Sequence, residues 1–102
     1  MKKILLFVLI SLSASTIFAQ DYQTTLREAK RGYAPAQVSL ANAYFYGNGV
    51  EPDFSQAAYW YRMAAEQGYA EAQYHLGEMY CLGEGVENDY LQAAYWYGFQ
   101  KR

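Results

Sequence analysis

Apolar residues recur at steps of three and four positions along residues 34–47, which is the spacing of a helix that buries one face. Five positions carry this pattern: Ala36, Leu40, Ala43, Tyr44 and Gly47. Pro35 suits the first turn of such a helix, because the N–H that proline lacks has no helical partner there. The pattern therefore predicts a first helix, called helix A, that begins near Pro35 and is stopped by Gly47.

A second helix is predicted after a short break. Residues 47–52 contain two glycines and a proline, which take the chain out of helical geometry. Asp53 then stands where a helix N-cap is expected, and Gln56 follows it at the spacing of a capping box. We expect helix B to run from Phe54 to Gln67, with Gly68 as its terminator.

The chain then repeats this pattern at a constant offset of 36 residues. The matched pairs include Ala36 and Ala72, Gln37 and Gln73, Leu40 and Leu76, Tyr44 and Tyr80, Asp53 and Asp89, and Trp60 and Trp96. Self-similarity with a period of about 20 to 50 residues is typical of repeat arrays. We expect a second helix A from about Glu71 to Leu82 and a second helix B from near Tyr90.

The repeat also predicts how the chain is organised. Residues 34–69 form repeat 1, and residues 70–102 form repeat 2, which we expect to be truncated at its C-terminal end. Residues 20–33 precede them and contain a predicted helix from Asp21 to Arg31 that matches the second half of a repeat. We interpret this helix as an N-terminal cap, since the terminal units of repeat arrays are commonly atypical.

Residues 1–19 have the pattern of a secretory signal peptide. Lys2 and Lys3 precede an apolar run from Ile4 to Leu12, and small residues then lead to Ala19. The run is shorter than the roughly 20 residues that span a bilayer, although a retained membrane anchor is the alternative interpretation. We expect cleavage after Ala19, export to the periplasm or the medium, and no stable membrane insertion once the leader is removed.

Composition narrows the classes of function. Cleavage would remove two lysines and change the formal charge from −2 to −4, so the mature chain would lack the basic patch that nucleic acids and anionic lipids attract. The sequence holds a single cysteine, Cys81, which excludes an internal disulfide. One cysteine and one histidine are too few for a structural zinc site. We therefore expect no nucleic-acid partner, no metal and no cofactor.

The repeated residues resemble the Sel-one-like repeat family, a relative of the tetratricopeptide repeats. Repeat 1 meets the family pattern at Ala34, Ala36, Gln37, Leu40, Tyr44, Gly47, Gly49, Val50, Asp53, Ala57, Trp60, Tyr61, Ala64, Ala65 and Gly68. Ala41 departs from the glycine that usually follows the leucine, while Gly77 keeps it. The resemblance implies an all-α fold, a right-handed α-solenoid of helix-turn-helix repeats like a tetratricopeptide superhelix, which binds other proteins and has no shared enzymatic activity.

Two other functions stay open beside a protein-binding module. An immunity or inhibitor protein would block one secreted bacterial toxin or enzyme, and an acidic chain suits a basic target. Some secreted relatives with a cysteine pair in each repeat are described as penicillin-binding or weak β-lactamase proteins. This chain lacks those pairs and a Ser-x-x-Lys element, so that likeness carries over poorly.

Three motifs that look like reactive or ligand sites have simpler structural explanations. The Gly-x-Gly elements follow predicted helices rather than strands, which favours turns over a phosphate cradle. His75 and Cys81 would lie about 9 Å and about 120° apart on one helix, beyond the reach of a nucleophile and its base. In the Tyr-Trp-Tyr triplets at 59–61 and 95–97, we expect each tryptophan in the core and the neighbouring tyrosines partly outside. We expect no catalytic residue.

The surface that remains for binding is the inner face of the two A helices. By analogy with tetratricopeptide arrays, it is lined by the residues that step between the core positions: Val38, Asn42, Phe45, Tyr74, Glu78 and Cys81. We expect Phe45 and Tyr74 to be partly exposed there, as aromatic residues are in protein-binding hot spots. The inner face is therefore predicted to bind another protein or a peptide, the alternative being that these side chains merely cover the core.

Overall fold

Five α-helices follow one another along residues 21–101, the part of the chain that the computed structural model describes. Helix α1 covers residues 21–30 of this part. The later helices are α2 (Ala34–Tyr46), α3 (Phe54–Glu66), α4 (Ala70–Leu82) and α5 (Tyr90–Gly98), followed by a 3-10 turn at Phe99–Lys101. Residues 21–101 contain no strand, and the all-α fold is confirmed. The predicted leader lies outside the described residues.

The helices pack in chain order, each against the next. Helix α2 packs on α3, α3 on α4 and α4 on α5. A hydrogen bond of 2.8 Å between the hydroxyls of Tyr22 and Tyr44 joins α1 to α2. Fully buried alanines on α3 and α4, among them Ala57, Ala64 and Ala72, let the helix backbones approach closely. The result is two A–B helix pairs preceded by a single helix.

Each A helix ends at a glycine in the left-handed conformation. Gly47 and Gly83 have φ angles of 72° and 70°, a region that other residues enter only at a steric cost. The Gly47 N–H donates to the Ala43 carbonyl, which closes the last turn of α2. The predicted end of helix A at Gly47 is therefore confirmed, with the same ending 36 residues later.

The aspartates cap the B helices, but they do so without the reciprocal half of a capping box. Asp53 Oδ1 accepts from the Gln56 N–H at 3.1 Å, which confirms the predicted N-cap. The Asp53 N–H donates to the Tyr44 carbonyl at 2.9 Å rather than to the Gln56 side chain. The last turn of α2 leaves carbonyls without helical donors, and one of them takes this N–H. The capping-box interpretation was wrong in that half.

The two tryptophans lie in the core as predicted, with exposures of 7% for Trp60 and 5% for Trp96. Tyr59 and Tyr95 are exposed beside them, also as expected. Tyr61 differs, because it is completely buried. Two residues along a helix turn the side chain by about 200°, so Tyr59 and Tyr61 point to opposite sides of α3. Tyr61 faces the junction between repeats, where α4 covers it.

A buried glutamine joins each A helix to the helix before it. Gln37 Nε2 donates to the Ala29 carbonyl at 3.1 Å, and Gln73 Nε2 donates to the Ala65 carbonyl at 3.2 Å. Both carbonyls lie in the last turn of a helix, where each also accepts from the N–H of the glycine three residues on, Gly32 or Gly68. In repeat 1, Gln67 adds a bond of 2.9 Å from its Nε2 to Gln37 Oε1. The sequence repeat shows these glutamines, but the repeat alone does not predict which carbonyls they bond.

We expect Gln73→Ala to lower the free energy of unfolding by about 1 to 3 kcal/mol, because it removes a buried hydrogen bond and leaves a cavity. Gln92→Ala on α5 removes the same side chain from an exposed position and should change stability by less than about 0.5 kcal/mol. Urea unfolding followed by circular dichroism measures both. Equal losses in the two variants would contradict the structural role of Gln73.

Candidate functional site

The predicted inner face consists of three pairs of equivalent positions arranged around two equivalent tyrosines. In repeat 1, the Tyr61 hydroxyl donates to Asn42 Oδ1, and the Phe45 ring centroid lies 6.5 Å from that of Tyr61. In repeat 2, the rings of Tyr74 and Tyr97 lie 5.9 Å apart. Burial, with smaller electrostatic contributions from Cys81 and Glu78, raises the pKa of Tyr97. Each of these tyrosines is thus in contact with inner-face residues of its own repeat, Tyr61 with Asn42 and Phe45 and Tyr97 with Tyr74.

Val38 does not line an open surface. It is only 5% exposed and belongs to the buried core, whereas Tyr74 at the equivalent position is 48% exposed. The expectation that Val38 lies on the accessible inner face was wrong. The aliphatic side chain is short enough to be enclosed in the core, while the longer tyrosine at position 74 extends out to solvent.

Asn42 and Cys81 are half-buried, and both are engaged within the fold. The side-chain oxygen of Asn42 accepts the Tyr61 hydroxyl hydrogen bond. Cys81 packs against the core, and its carbonyl accepts from Asn88 Nδ2 at 2.6 Å. These two residues therefore pack within the fold behind the inner face and contribute little to its accessible surface.

Phe45 and Glu78 meet in a pocket between α2 and α4. This inter-repeat pocket has a volume of about 160 Å³ and is lined by Phe45, Tyr46, His75, Glu78, Met79, Leu82 and Glu84. Tyr46 and Leu82 form its rim, with exposures of 58% and 62%. The sequence analysis missed both residues. They hold equivalent positions, each the last residue of an A helix, and a large apolar side chain before the terminating glycine in both repeats was a usable signal.

The aromatic floor of the inter-repeat pocket consists of Phe45 and His75, which belong to a larger aromatic cluster centred on Phe45. The Phe45 ring centroid lies 4.9 Å from Tyr46, 5.0 Å from Phe54 and 6.3 Å from His75. The His75 ring stacks on Tyr61 at 4.8 Å with an interplanar angle of 22°. His75 comes from repeat 2 and the others from repeat 1, so the cluster crosses the repeat boundary. Rings held from several sides form a preorganised surface.

The two residues weighed as a reactive pair lie against different partners. His75 stacks on Tyr61, and its Nε2 is 3.9 Å from a carboxylate oxygen of Glu71. Cys81 packs against the hydrophobic core, and its carbonyl accepts from Asn88. Across residues 21–101, no group of three or more His, Cys, Asp or Glu side chains is placed to hold a metal ion.

Three tyrosines at or near this face are held in the neutral form by their surroundings. Burial raises the pKa of Tyr61 well above its ordinary value, and the Tyr46 and Glu71 charges add to the shift. The hydrogen bond between the Tyr22 and Tyr44 hydroxyls, together with burial, raises the pKa of Tyr44 to about 12. Burial also raises the pKa of Tyr97. These three hydroxyls therefore keep their protons to a higher pH than an exposed tyrosine does.

The fold and this site define a class of protein: an α-solenoid of helix-turn-helix repeats with its candidate site between successive A helices. No helix within the described residues has the length and apolar character needed to cross a bilayer. The sequence profile of the Sel1 repeat matches residues 34–69 and 70–98. The chain belongs to the Sel1 repeat family, as its resemblance implied, and repeats of this kind serve as protein-interaction modules.

Two solved structures show the same architecture. One is a protective antigen that is present in uropathogenic Escherichia coli strains and displays an SLR fold. It is 45% identical with a TM-score of 0.73, and the match covers 78% of this chain and 17% of that protein. The other is a Sel1 repeat protein from Oxalobacter formigenes, with 34% identity, a TM-score of 0.75, and coverage of 78% and 61%. The chain thus spans less than two thirds of either relative. No curated protein sequence matches it.

The raised tyrosine pKa values predict a loss of stability at high pH. Above an ordinary pKa of about 10, the unfolded tyrosines ionise while those in the folded state keep their protons. The contribution of these tyrosines to the free energy of unfolding should therefore be fully present below about pH 10. It should be lost as the pH rises toward 12, the pKa of Tyr44 in the folded state. Tyr61→Phe should reduce the slope of the free energy of unfolding against pH. The reduction should correspond to at most about one proton per molecule, the one that Tyr61 would release.

Urea midpoints measured between pH 9 and pH 12 check this prediction. Tyr59→Phe is the matched control, because it removes a hydroxyl from an exposed tyrosine two residues away. An unchanged slope in Tyr61→Phe, or the same change in both variants, would show that the Tyr61 hydroxyl does not contribute to the pH dependence.

Proposed function

We propose that this protein is a non-enzymatic, secreted or periplasmic module that binds another protein or a peptide through the face between its A helices. The observation that carries the proposal is the inter-repeat pocket, where a preorganised aromatic floor meets an exposed rim of Tyr46 and Leu82. Aromatic side chains that are already fixed lose little conformational entropy on binding. The arrangement suits recognition of a partner surface.

The proposed location rests on residues 1–19, which have the order of a signal peptide: basic residues, a short apolar run and small residues before Ala19. The sequence places this leader directly before α1. Export would bring the inner face into the compartment where secreted and periplasmic partners occur.

A more specific version is an immunity or inhibitor protein with one tightly bound target. The charge distribution favours it, because residues 63–100 contain six acidic residues and no lysine or arginine. A basic toxin or enzyme would be steered toward such a surface. A β-lactamase-like activity gains no comparable support, since His75 is engaged by Tyr61 and Glu71 while Cys81 packs against the core.

Affinity capture with a groove variant tests the binding face. The double variant Tyr46→Ala, Leu82→Ala removes two exposed rim side chains and should abolish at least about nine tenths of partner recovery. The control Tyr59→Ala, Leu91→Ala removes the same residue types from other exposed positions and should recover the partner like the unmodified chain. Immobilised proteins would be exposed to periplasmic and secreted fractions of the producing bacterium, and bound proteins identified by mass spectrometry.

Circular dichroism would establish that both double variants are folded. A partner that is lost equally from the two variants, or retained by both, would place the binding surface elsewhere.

The location has its own test. When the full-length sequence is expressed in a Gram-negative host, the protein in the periplasmic fraction should begin at Gln20, and Ala19→Lys should block the cleavage. Intact-mass measurement of each fraction, beside cytoplasmic and periplasmic marker proteins, gives the answer. Recovery of the uncleaved chain in the cytoplasm alone would contradict export.

A further inference from the structure

We propose that the inter-repeat pocket takes an arginine side chain from a basic segment of the partner protein. This proposal rests on the proposed function, because it assigns the chemistry of the partner to the same face. The pocket combines an aromatic surface with two carboxylates from different elements, Glu78 on α4 and Glu84 in the following loop.

The size of the pocket fits one side chain. Its volume of about 160 Å³ lies below the range of about 300 to 1,000 Å³ that is typical of small-molecule sites. Phe45 and Met79 form its inner part, and Met79 is only 2% exposed. A long side chain can therefore lay its aliphatic stem on the apolar wall while its charged end stays near the rim.

The aromatic rings suit a cation. Tyr46 is 58% exposed, and its ring centroid lies 4.9 Å from that of Phe45 in an edge-on arrangement. A guanidinium group placed over the face of such a ring is attracted by its π electrons. Arginine is favoured over lysine because its planar group stacks on rings and also pairs with carboxylates in a forked geometry.

The carboxylates at the rim are available for such a cation. Among the side chains of residues 21–100, neither Glu78 nor Glu84 forms an ion pair, and the pair that is present there joins His75 and Glu71. The loop that carries Glu84 is held close to α3, since a Cβ at Gly85 would come within 2.2 Å of the Phe54 carbonyl oxygen. Gly85 also has a φ of 71°, so a side chain at that position is disfavoured both by the clash and by the backbone conformation. Glu84 is therefore positioned by the packing of its loop.

The surrounding charge decides between basic and acidic occupants. From residue 63 to residue 100 the acidic residues are Glu66, Glu71, Glu78, Glu84, Glu87 and Asp89, with no lysine or arginine between them. Repeat 2 also carries Lys101 and Arg102 at its end, so its net charge is −3, against −1 for residues 20–69, and most of the negative charge lies in repeat 2. This field attracts a basic segment and repels an acidic one before contact is made.

A titration with matched peptides tests the proposal. The probe is the peptide acetyl-Gly-Leu-Gly-Arg-Gly-Leu-Gly-amide, and its control carries citrulline, which has the shape of arginine without its charge. The protein, isotopically labelled and expressed from its full-length sequence, is titrated at low salt and followed by NMR. The arginine peptide should shift the amide signals of Tyr46, His75, Glu78 and Glu84 in a saturable way, and citrulline should bind about tenfold more weakly.

Two variants with the same net charge separate the pocket from the overall field. Glu78→Gln, Glu84→Gln should weaken the arginine peptide about tenfold. Glu28→Gln, Glu66→Gln removes two exposed carboxylates that lie in the last turns of α1 and α3 and do not line the pocket, and it should have a small effect. Equal binding of the citrulline peptide, equal losses in both variants, shifts at other residues, or no saturable shift would each overturn the arginine pocket.

The capture experiment keeps the two proposals distinct. A partner that depends on Tyr46 and Leu82, together with no preference for the arginine peptide, would leave the binding face standing and remove only the arginine assignment. Failure of both experiments would remove the face as a binding surface.

Discussion

The structure depends on one hydrogen bond that recurs in both repeats. In each of them, a buried glutamine side chain of the A helix donates to a carbonyl in the last turn of the preceding helix. Gln37 reaches Ala29 and Gln73 reaches Ala65, so the bond recurs at the period of the sequence. A buried polar side chain without a partner is costly, and few positions of α4 relative to α3 would satisfy Gln73. Apolar contacts between alanine-rich helices would tolerate sliding, whereas this bond fixes one arrangement. The inter-repeat pocket inherits its geometry from that arrangement.

The pocket exists because the two A helices, α2 and α4, lie side by side. A comparison of Tyr61 with Tyr97 shows what the A helix of the next repeat adds. Both tyrosines extend from a B helix toward the inner face of their own repeat. Tyr61 is also covered by His75 of the next repeat and is completely buried, while Tyr97 remains partly exposed. The repeat boundary thus buries Tyr61 behind His75, which lines the pocket. Binding surfaces of this kind belong to the junction of repeats rather than to a repeat alone.

Much of the fold could be predicted because the signals are local. Helix spacing, the terminating glycine at position 47 and the aspartate cap at position 53 each depend on a few neighbouring residues, and each was found where the sequence placed it. The surface was harder, because exposure depends on what another helix brings. Val38 and Tyr74 hold equivalent positions, yet one is buried and the other exposed. In the same way, the Asp53 N–H donates to a carbonyl of α2, and the spacing of Asp53 and Gln56 does not predict that partner.

The candidate site joins two properties that act at different stages of recognition. The fixed rings around Phe45 offer contact area at little entropic cost, but aromatic contacts alone accept many partners. The carboxylates of Glu78 and Glu84 have no ion-pair partner within the described residues, so burying them against an apolar or acidic surface would be unfavourable. A partner must bring positive charge to remove that penalty, and the acidic field of repeat 2 steers such a partner to the site. Affinity from the rings and selection by the charges therefore come from the same short stretch between α2 and α4.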